Sequence, residues 1–354
     1  MKGIILHGGH GTRLRPLTHT GPKQLLDIAN KPMSQYALED LKNAGIDDIA
    51  IIVGDVYPEK VMEYYGDGKE FGVNITYVHQ DKPRGISHAI KLCKEFVGDE
   101  KFVVYLGDNV LRKNLNDYVN DFNSSNADAL ILLCEVDNPS SFGVAEFHNK
   151  KLIKIEEKPK NPSSNLAVIG IYFLTPTIFN IIEKLKPSWR NELEIADALH
   201  MLLEGNFHVD YDIVTGWWKD TGTPEDILHA NQLVLDSIGT DNEFKIDSSY
   251  ETKNGVLIGK NTIISEDSII SGPCIIGHNC DIGPFVRIGP HVSIGNNSKL
   301  QNCTLENSII MNDCEINSNV TIADSIIATG STIKSSSKKG VKKLLLGERS
   351  QVQL

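Results

Sequence analysis

The sequence of 354 residues has no apolar run close to the roughly 20 residues that a membrane-spanning helix requires. It is also poor in positive charge, with 35 lysines and arginines against 46 aspartates and glutamates and a formal net charge of −11. Nucleic acids are bound mainly through basic surfaces, which an acidic chain does not offer. We therefore expect neither a membrane nor a nucleic acid among the partners of this protein.

Cysteine is scarce as well, with six residues and no pair at CxxC spacing. Low cysteine density without paired spacing is typical of reduced thiols. The first six residues lead directly into glycines and are too short for a signal peptide. The sequence thus predicts a cytoplasmic protein, and its 40% hydrophobic and 23% charged residues exclude a disordered or fibrous chain.

Short apolar runs alternate with helical patterns up to about residue 240. Continuous apolar runs are typical of strands that helices cover on both faces. The predicted strands are Lys2–Leu6, Ile49–Val53, Ile75–Val78, Phe102–Leu106, Ala129–Cys134 and Ala167–Phe173. Helices are expected to begin near Pro32, Pro58, Gly85, Pro176, Glu192 and Pro224. This alternation predicts an α/β fold with a doubly wound, mostly parallel sheet that binds ligands beyond the carboxyl ends of its strands.

A strict period of six residues replaces this pattern after Val256. Aliphatic residues recur at positions 258, 264, 270, 276, 282, 288, 294 and 300, and again at 310, 316 and 322. A helix has a period near 3.6 and a plain strand a period of two, whereas six is typical of one side of a β-helical coil. The stretch resembles the hexapeptide-repeat proteins, which form a left-handed parallel β-helix. We predict two domains, residues 1–240 and residues 241–354, of which the second is the β-helix.

A glycine-rich segment, residues 8–23, follows the first predicted strand and reads GGHGTRLRPLTHTGPK. It is not a dinucleotide fingerprint, because Leu14 stands where the third glycine is required, and it lacks the Gly-Lys-Ser/Thr of a Walker A loop. Backbone N–H groups in such a turn can approach phosphates closely, and Arg13 and Lys23 would supply cations. The spacing alone leaves open whether this is a phosphate-binding loop or a solvated surface loop.

Together with the following QLLDIANKPM, the segment resembles the signature of the sugar-phosphate nucleotidyltransferase family, G-x-G-T-R-L-x-P-L-T…P-K. Further family blocks follow in the same order: Gln80 with Gly85, LGDN (106–109), FGV (142–144), EEKP (156–159), RNELEIAD (190–197) and WWKDTGTP (217–224). Within the family, the likeness is greatest to the long-form enzymes that act on dTTP and glucose 1-phosphate. Four residues depart from the family pattern without removing a charged functional group: His7, His10, Asp27 and Asn191.

The resemblance implies that an oxygen of a hexose 1-phosphate attacks the α-phosphorus of a nucleoside triphosphate and releases pyrophosphate. The attacking phosphate is already an anion at neutral pH, so the reaction needs no general base. The main obstacle is the repulsion between two anions, which a divalent cation and basic side chains reduce. By the same resemblance, Asp108 and Asp220 hold Mg²⁺ as the cofactor.

The resemblance also implies which residues contact the two substrates. Arg13 and Lys23 bind the triphosphate and, with Asp108, are the expected catalytic residues. The nucleotide, dTTP or UTP, is expected to contact Gly8, Gly9, Gly11, Thr12, Gln80 and Gly85. The hexose 1-phosphate is expected to contact Gly143, Glu157, Lys158, Val168 and Trp218. A structural role stays open for Asp108 and Asp220 as turn residues, for Lys158 as a solvated charge, and for Arg190.

Other functions also remain open on the sequence. UTP or another hexose phosphate would satisfy the same motifs, since one methyl group contributes only about 1–3 kcal/mol of discrimination. A bifunctional enzyme would transfer an acyl group with His278 or His291 in the β-helix. A regulatory subunit without catalysis is disfavoured because the charged residues of the implied site are all present. We expect the β-helix to serve assembly, and the protein to be a homo-oligomer.

Overall fold

The computed structural model describes residues 1–238, 250–253, 255–335 and 340–354. The chain divides into two compact units, of which the first comprises residues 1–9 and 34–220 and the second residues 10–33 and 221–354. The predicted boundary between residues 240 and 241 lies outside the described residues. No helix in the described ranges is long and apolar enough to cross a bilayer.

Thirteen strands precede residue 221. They are β1 (Lys2–His7), β2 (Asp27–Ile28), β3 (Lys31–Pro32), β4 (Asp48–Val53), β5 (Asn74–His79), β6 (Phe102–Leu106), β7 (Asn109–Leu111), β8 (Ala129–Glu135), β9 (Gly143–His148), β10 (Lys151–Glu157), β11 (Leu166–Leu174), β12 (Val209–Ile213) and β13 (Trp218–Asp220). The helices are α1 (Met33–Asn43), α2 (Pro58–Tyr65), α3 (Ile86–Leu92), α4 (Lys94–Val97), α5 (Asn116–Ser124), α6 (Thr177–Ile182), α7 (Ile195–Glu204) and α8 (Pro224–Ser237).

A nine-stranded sheet forms the centre of the first unit. Its strand order is β10-β9-β11-β6-β1-β4-β5, and β8 pairs with both β11 and β12. The part β6-β1-β4-β5 is parallel. Strands β1, β4 and β6 are almost entirely buried, whereas β5, at the end of this order, has only exposed and half-buried residues. Strand β11 runs antiparallel to β6, β8 and β9, so the sheet is mixed. All six predicted strands and the doubly wound α/β class are confirmed.

The six predicted helix starts fall at or within three residues of α1, α2, α3, α6, α7 and α8. Gly45 lies two residues after the end of α1 with a φ of 77°, a conformation that favours glycine. Pro32 was expected in the first turn of α1, and this was wrong in detail. It ends strand β3, where it pairs with Asp27, and the helix begins at Met33.

Stacked parallel strands form the β-helix of the second unit. They are β14 (Tyr250–Lys253), β15 (Val256–Gly259), β16 (Ile263–Ile264), β17 (Ile269–Ile270), β18 (Cys274–Ile276), β19 (Asp281–Ile282), β20 (Arg287–Ile288), β21 (Val292–Ile294), β22 (Lys299–Gln301), β23 (Thr304–Glu306), β24 (Ile309–Ile310), β25 (Glu315–Asn317), β26 (Thr321–Ala323), β27 (Ile326–Ile327), β28 (Thr332–Lys334), β29 (Val341–Lys342), β30 (Leu345–Leu346) and β31 (Gln351–Gln353). They form three sheets, and in the described part of these sheets only the first strand, β14, pairs antiparallel.

The hexapeptide register accounts for the stacking of the coils. Ile258 pairs with Ile276, Ile276 with Ile294, Ile294 with Ile310 and Ile310 with Ile327. From Ile276 onward these aliphatic side chains are buried in the core of the β-helix. The interruption of the repeat after residue 300 consists of two sides that are each one residue short, so the buried aliphatic residue falls at Leu305 and the next at Ile310. The predicted β-helix is confirmed.

A column of asparagines stabilises one corner of the coils. Asn261, Asn279 and Asn297 adopt φ values of 60°, 55° and 59°. The amide of Asn261 donates to Asn279 Oδ1 at 3.1 Å, and Asn279 donates to Asn297 Oδ1 at 3.2 Å. Asparagine tolerates the left-handed region better than other residues with a side chain. Each of these residues therefore turns the backbone and also connects adjacent coils.

Substitution of Asn279 separates these two contributions. Asn279→Ala loses the side-chain hydrogen bonds and places an alanine at positive φ, and we expect a loss of about 2 kcal/mol in the free energy of unfolding. Asn279→Gly loses the hydrogen bonds alone and should lose about 1 kcal/mol. Thermal unfolding followed by circular dichroism checks the order of the two variants. An alanine variant that melts at or above the glycine variant would contradict this account of the corner.

Candidate active site

Three predicted site residues follow the carboxyl ends of parallel strands in the first unit. Gly8 follows β1, Gln80 follows β5, and Asp108 lies in the turn after β6. Strands β1, β4, β5 and β6 are adjacent and parallel, so these residues lie along one edge of the sheet. This is the edge at which doubly wound sheets bind ligands.

Gly8 and Gln80 are in direct proximity. A Cβ atom added to Gly8 would lie 3.4 Å from Gln80 Oε1. Gln80 is 6% exposed, and its amide nitrogen lies 3.1 Å from His88 Nδ1 and 3.5 Å from the carbonyl oxygen of Gly85. The structure thus brings together three of the six residues predicted to contact the nucleotide: Gly8, Gln80 and Gly85.

Gly85 has a conformation that other residues cannot adopt without strain. Its φ is 99° and its ψ is 167°, a region that only glycine populates freely. A Cβ atom there would lie 2.5 Å from the carbonyl oxygen of Leu193. That same carbonyl accepts a hydrogen bond of 3.1 Å from the backbone N–H of Ser87. Glycine at this position therefore lets the start of α3 contact the RNELEIAD segment.

Strand pairing brings the two predicted metal ligands together. In the antiparallel pair of β7 and β13, Asp220 is the partner of Asn109. Asp108 immediately precedes Asn109, so the two aspartates are neighbours despite their separation in sequence. Both residues are partly buried.

Asn109 connects this aspartate pair to the rest of the site. Its Oδ1 accepts hydrogen bonds from Trp218 Nε1 at 2.7 Å and from the backbone N–H of Gly170 at 3.3 Å. Its amide donates to Asp108 Oδ1 at 3.0 Å. Asn109 is 2% exposed and belongs to the LGDN block, but sequence reasoning did not assign it a role. It fixes the aspartate relative to Trp218, a predicted sugar-binding residue.

The donor set fits Mg²⁺. This ion typically takes one or two protein carboxylates and completes its octahedral shell with phosphate oxygens and water. Across the described ranges, no cluster of three or more histidine, cysteine, aspartate or glutamate side chains is arranged to hold a metal. Two neighbouring carboxylates, with no third acidic or histidine ligand arranged beside them among the described residues, fit the small number of protein ligands that Mg²⁺ requires.

Gly143, Glu157 and Val168 lie side by side on three neighbouring strands. Gly143 of β9 pairs with Glu157 of β10 on one side and with Val168 of β11 on the other. A Cβ atom at Gly143 would lie 3.5 Å from Glu157 Oε2 and 3.8 Å from Val168 Cβ. The ring of Phe142, next to Gly143, packs edge-on against Trp218 with centroids 5.5 Å apart. The structure thus groups the residues predicted to contact the hexose.

Two cations flank Glu157. Lys158 Nζ lies 3.5 Å and Arg190 Nη1 3.3 Å from Glu157 Oε1. Burial raises the pKa of Glu157, and the two cations partly offset this effect. Arg190, which the sequence left undecided, also contacts Glu192 at 3.1 Å and Glu194 at 3.5 Å. Glu157 is therefore a half-buried carboxylate that lies within 3.5 Å of two cationic groups.

Of the remaining predicted residues, all but Gly9 lie in the segment 10–33 of the second unit. Gly11 has a φ of 57°, and its carbonyl accepts a hydrogen bond of 2.8 Å from Thr18 Oγ1. A Cβ atom at Gly11 would lie 3.3 Å from Lys23 Cβ, so this glycine and Lys23 are adjacent. Thr12 and Arg13 are exposed. Gly9, in the first unit, has a φ of 94°, which favours glycine.

Gly222 contacts Arg13 and was not assigned from the sequence. A Cβ atom at Gly222 would lie 3.0 Å from Arg13 Nη2, so the absence of a side chain leaves room for the guanidinium group. Gly222 belongs to the WWKDTGTP block. Membership of this block was the one feature of the sequence that could have indicated a role for Gly222.

Two departures from the family pattern have structural consequences. Asn191 adopts a φ of 61°, and asparagine can replace glycine there because it tolerates the left-handed region. His7 is 4% exposed, and neither ring nitrogen has a hydrogen-bond partner among the described residues. Burial lowers the pKa of His7 to about 3, although nearby Asp108 opposes the shift, so the imidazole is neutral.

Comparison with known proteins identifies the class. Residues 2–237 match the Nucleotidyl transferase family, and residues 270–353 match the GMPPB C-terminal domain family. The chain therefore belongs to the nucleotidyl transferase family, and the resemblance found in the sequence is confirmed.

Individual relatives align with most or all of the length of this chain. Low-salt glycan biosynthesis nucleotidyltransferase Agl11 of Haloferax volcanii is 47% identical over 100% of both chains. A glucose-1-phosphate thymidylyltransferase of Streptomyces antibioticus is 42% identical over 73% of each chain. A crystal structure from Bacillus anthracis, provisionally named a glucose-1-phosphate thymidylyltransferase and bound to sucrose, matches with a TM-score of 0.64 and 43% identity. It covers 70% of this chain and 98% of its own.

Proposed function

We propose that this protein transfers a thymidylyl group from dTTP to glucose 1-phosphate in the presence of Mg²⁺, giving dTDP-glucose and pyrophosphate. The observation that carries the proposal is the pairing of Asp220 with Asn109, which makes Asp108 and Asp220 neighbours. The adjacent group of Gly143, Glu157 and Val168 supports a hexose site beside this pair. The similarity to thymidylyltransferases supports dTTP as the nucleotide.

The side chains have distinct tasks in this reaction. When bound, Mg²⁺ reduces the negative charge of the phosphates, and Asp108 and Asp220 would hold it. Lys158 and Arg190 orient the phosphate of the sugar, and Glu157 accepts hydrogen bonds from its hydroxyl groups. Arg13 and Lys23 bind the triphosphate and stabilise the pyrophosphate that leaves. Catalysis consists mainly of positioning and charge neutralisation, because the attacking phosphate oxygen is already ionised.

The two histidines considered for acyl transfer are engaged in structural contacts. His278 Nδ1 accepts a hydrogen bond of 2.8 Å from the backbone N–H of Lys260. His291 Nε2 lies 2.8 Å from a carboxylate oxygen of Asp236. These contacts favour a structural role for both residues.

We also propose that the protein is cytoplasmic, that residues 1–240 and 241–354 form its catalytic and β-helical domains, and that it assembles as a homo-oligomer.

Pyrophosphate release tests the function directly. The protein is incubated with Mg²⁺ and glucose 1-phosphate and, in turn, with dTTP, UTP, CTP, ATP and GTP. We expect the highest kcat/KM with dTTP and slower turnover with UTP, since the two differ only by a methyl group on the base and a sugar hydroxyl. Faster turnover with UTP would make the protein a uridylyltransferase. If none of the five triphosphates gave pyrophosphate, the proposal would be refuted.

Lys158→Met tests the binding site for the sugar phosphate. The substitution approximates the aliphatic part of the lysine side chain and removes its charge, and we expect the KM for glucose 1-phosphate to rise by about 10- to 100-fold. The matched control is Lys160→Met, because Lys160 lies in the same charged run but is exposed. Equal KM values in the two variants would show that Lys158 is only a solvated charge.

A further inference from the structure

A tight hairpin ends the segment that carries Arg13 and Lys23. Strands β2 and β3 are joined by Ala29 and Asn30, which have φ values of 49° and 61°. Two consecutive left-handed residues define the type I′ turn, for which Asn-Gly is the favoured pair. Alanine is unfavourable at positive φ, so contacts from outside the hairpin are needed to hold this turn.

A buried asparagine of α8 supplies one of these contacts. Asn231 is fully buried, and its Oδ1 accepts a hydrogen bond of 2.9 Å from the backbone N–H of Ala29. The same oxygen accepts a hydrogen bond of 2.6 Å from Ser293 Oγ of the β-helix. Asn231 Nδ2 lies 3.5 Å from the carbonyl oxygen of His291. One side chain thus joins the hairpin, the helix and a coil of the β-helix.

The hairpin also contacts the β-helix directly. Asn30 Nδ2 donates a hydrogen bond of 2.7 Å to the carbonyl oxygen of Ile294. At the other end of the segment, a Cβ atom on Gly347 would lie 3.1 Å from the carbonyl oxygen of Pro16, so the last coil lies against this loop. The segment 10–33 is therefore contacted by the β-helix at two separate places.

Hydrogen bonds transmit the position of the hairpin to Lys23. The carbonyl of Lys23 accepts a hydrogen bond of 3.0 Å from Leu26 N–H, and the carbonyl of Leu26 accepts one of 3.0 Å from Met33 N–H. The residues between Lys23 and α1 therefore form a locally bonded structure. We therefore expect a displacement of the hairpin to shift Lys23 as well.

We propose that the β-helix positions the triphosphate-binding loop, with Asn231, Ser293 and Asn30 as positioning residues. This inference rests on the proposed function, which assigns Arg13 and Lys23 to the triphosphate. A loop released from the β-helix samples more conformations, and the apparent affinity for its ligand falls with the fraction of competent loops. The residues assigned to the hexose 1-phosphate all belong to the other unit, so the affinity for this substrate should not change.

The test uses two variants of the contact and one matched control in the full-length protein. Asn30→Gly removes the bond to Ile294 and keeps a residue suited to the turn. Asn231→Leu removes the buried acceptor. The control, Gln232→Ala, breaks a 2.7 Å hydrogen bond from the same helix to Asn307 of the β-helix without touching the hairpin.

We expect Asn30→Gly to raise the KM for dTTP by about threefold to tenfold, with the KM for glucose 1-phosphate changed less than about twofold. Asn231→Leu should have a larger effect in the same direction, and Gln232→Ala should leave both KM values within about twofold. If Asn231→Leu does not fold, the two KM values of Asn30→Gly alone test the proposal. Equal changes in both KM values, or no change, would overturn the proposal.

Hydrogen–deuterium exchange without substrate separates this inference from the proposed function. Amides of residues 11–26 should exchange faster in Asn30→Gly than in the unsubstituted protein and in Gln232→Ala. Unchanged exchange in this segment would refute the positioning role whatever the enzyme's activity. Faster exchange in a protein that releases no pyrophosphate would instead refute the proposed function and retain the contact between the loop and the β-helix.

Discussion

Asp108→Asn and Asp220→Asn are each expected to reduce pyrophosphate release by about 10³-fold or more. Each substitution replaces a carboxylate by a neutral amide of nearly the same shape, which is a poor ligand for Mg²⁺. In Asp108→Asn, the new amide retains a carbonyl oxygen that can accept the hydrogen bond from the Asn109 side chain. The fold should therefore persist, with a thermal midpoint within a few degrees of that of the unsubstituted protein.

Asp212→Asn is the matched control for this pair. Asp212 is an exposed aspartate of β12, and its carboxylate bonds only to the backbone of its own strand among the described contacts. This variant should retain full activity at saturating Mg²⁺. Normal turnover in either Asp108→Asn or Asp220→Asn would show that the metal is held elsewhere.

Gly85→Ala is expected to have the largest effect on stability of any single substitution considered. The new Cβ atom would lie 2.5 Å from the carbonyl oxygen of Leu193, at a φ of 99° that disfavours alanine. Backbone strain and the displaced contact together should cost about 3–5 kcal/mol and lower the thermal midpoint by about 10 °C. Nucleotide binding should weaken as well, because Gly85 contacts Gln80.

Gly54→Ala provides the control for this substitution. Gly54 also follows a strand of the parallel sheet, and no described atom lies within 4 Å of the position a Cβ would take. We expect a change in the thermal midpoint of less than about 2 °C. A Gly85→Ala protein that melts together with Gly54→Ala would contradict the steric argument for glycine at position 85.

The periodicity of the sequence predicted most of the fold. Strands buried on both faces read as continuous apolar runs, and β1, β4 and β6 were identified for that reason. The six-residue period identified the β-helix because only inward side chains must be aliphatic. The antiparallel strands were missed where burial is incomplete: β10 alternates between buried and exposed residues and lies at the edge of the sheet. Pro32 was misplaced because a proline suits both the end of a strand and the start of a helix.

The candidate site was predicted through motifs, and its internal contacts were not. Gly143, Glu157 and Val168 were assigned by resemblance, and the strand register shows that they are neighbours. Asn109 is bonded to Trp218, and Arg190 forms an ion pair with Glu157. Both partners are distant along the chain, and a single sequence carries no signal for such pairings. The same limit applies to Asn231, whose contact with Ala29 joins residues that are distant along the chain.

Location of the metal ion tests the central claim most directly. Crystals grown with dTTP and Mn²⁺, which replaces Mg²⁺ and scatters anomalously, would show the ion as a single peak. The account predicts this peak within coordination distance of carboxylate oxygens of both Asp108 and Asp220. A peak bound by neither aspartate, or by only one of them together with another protein carboxylate, would contradict it.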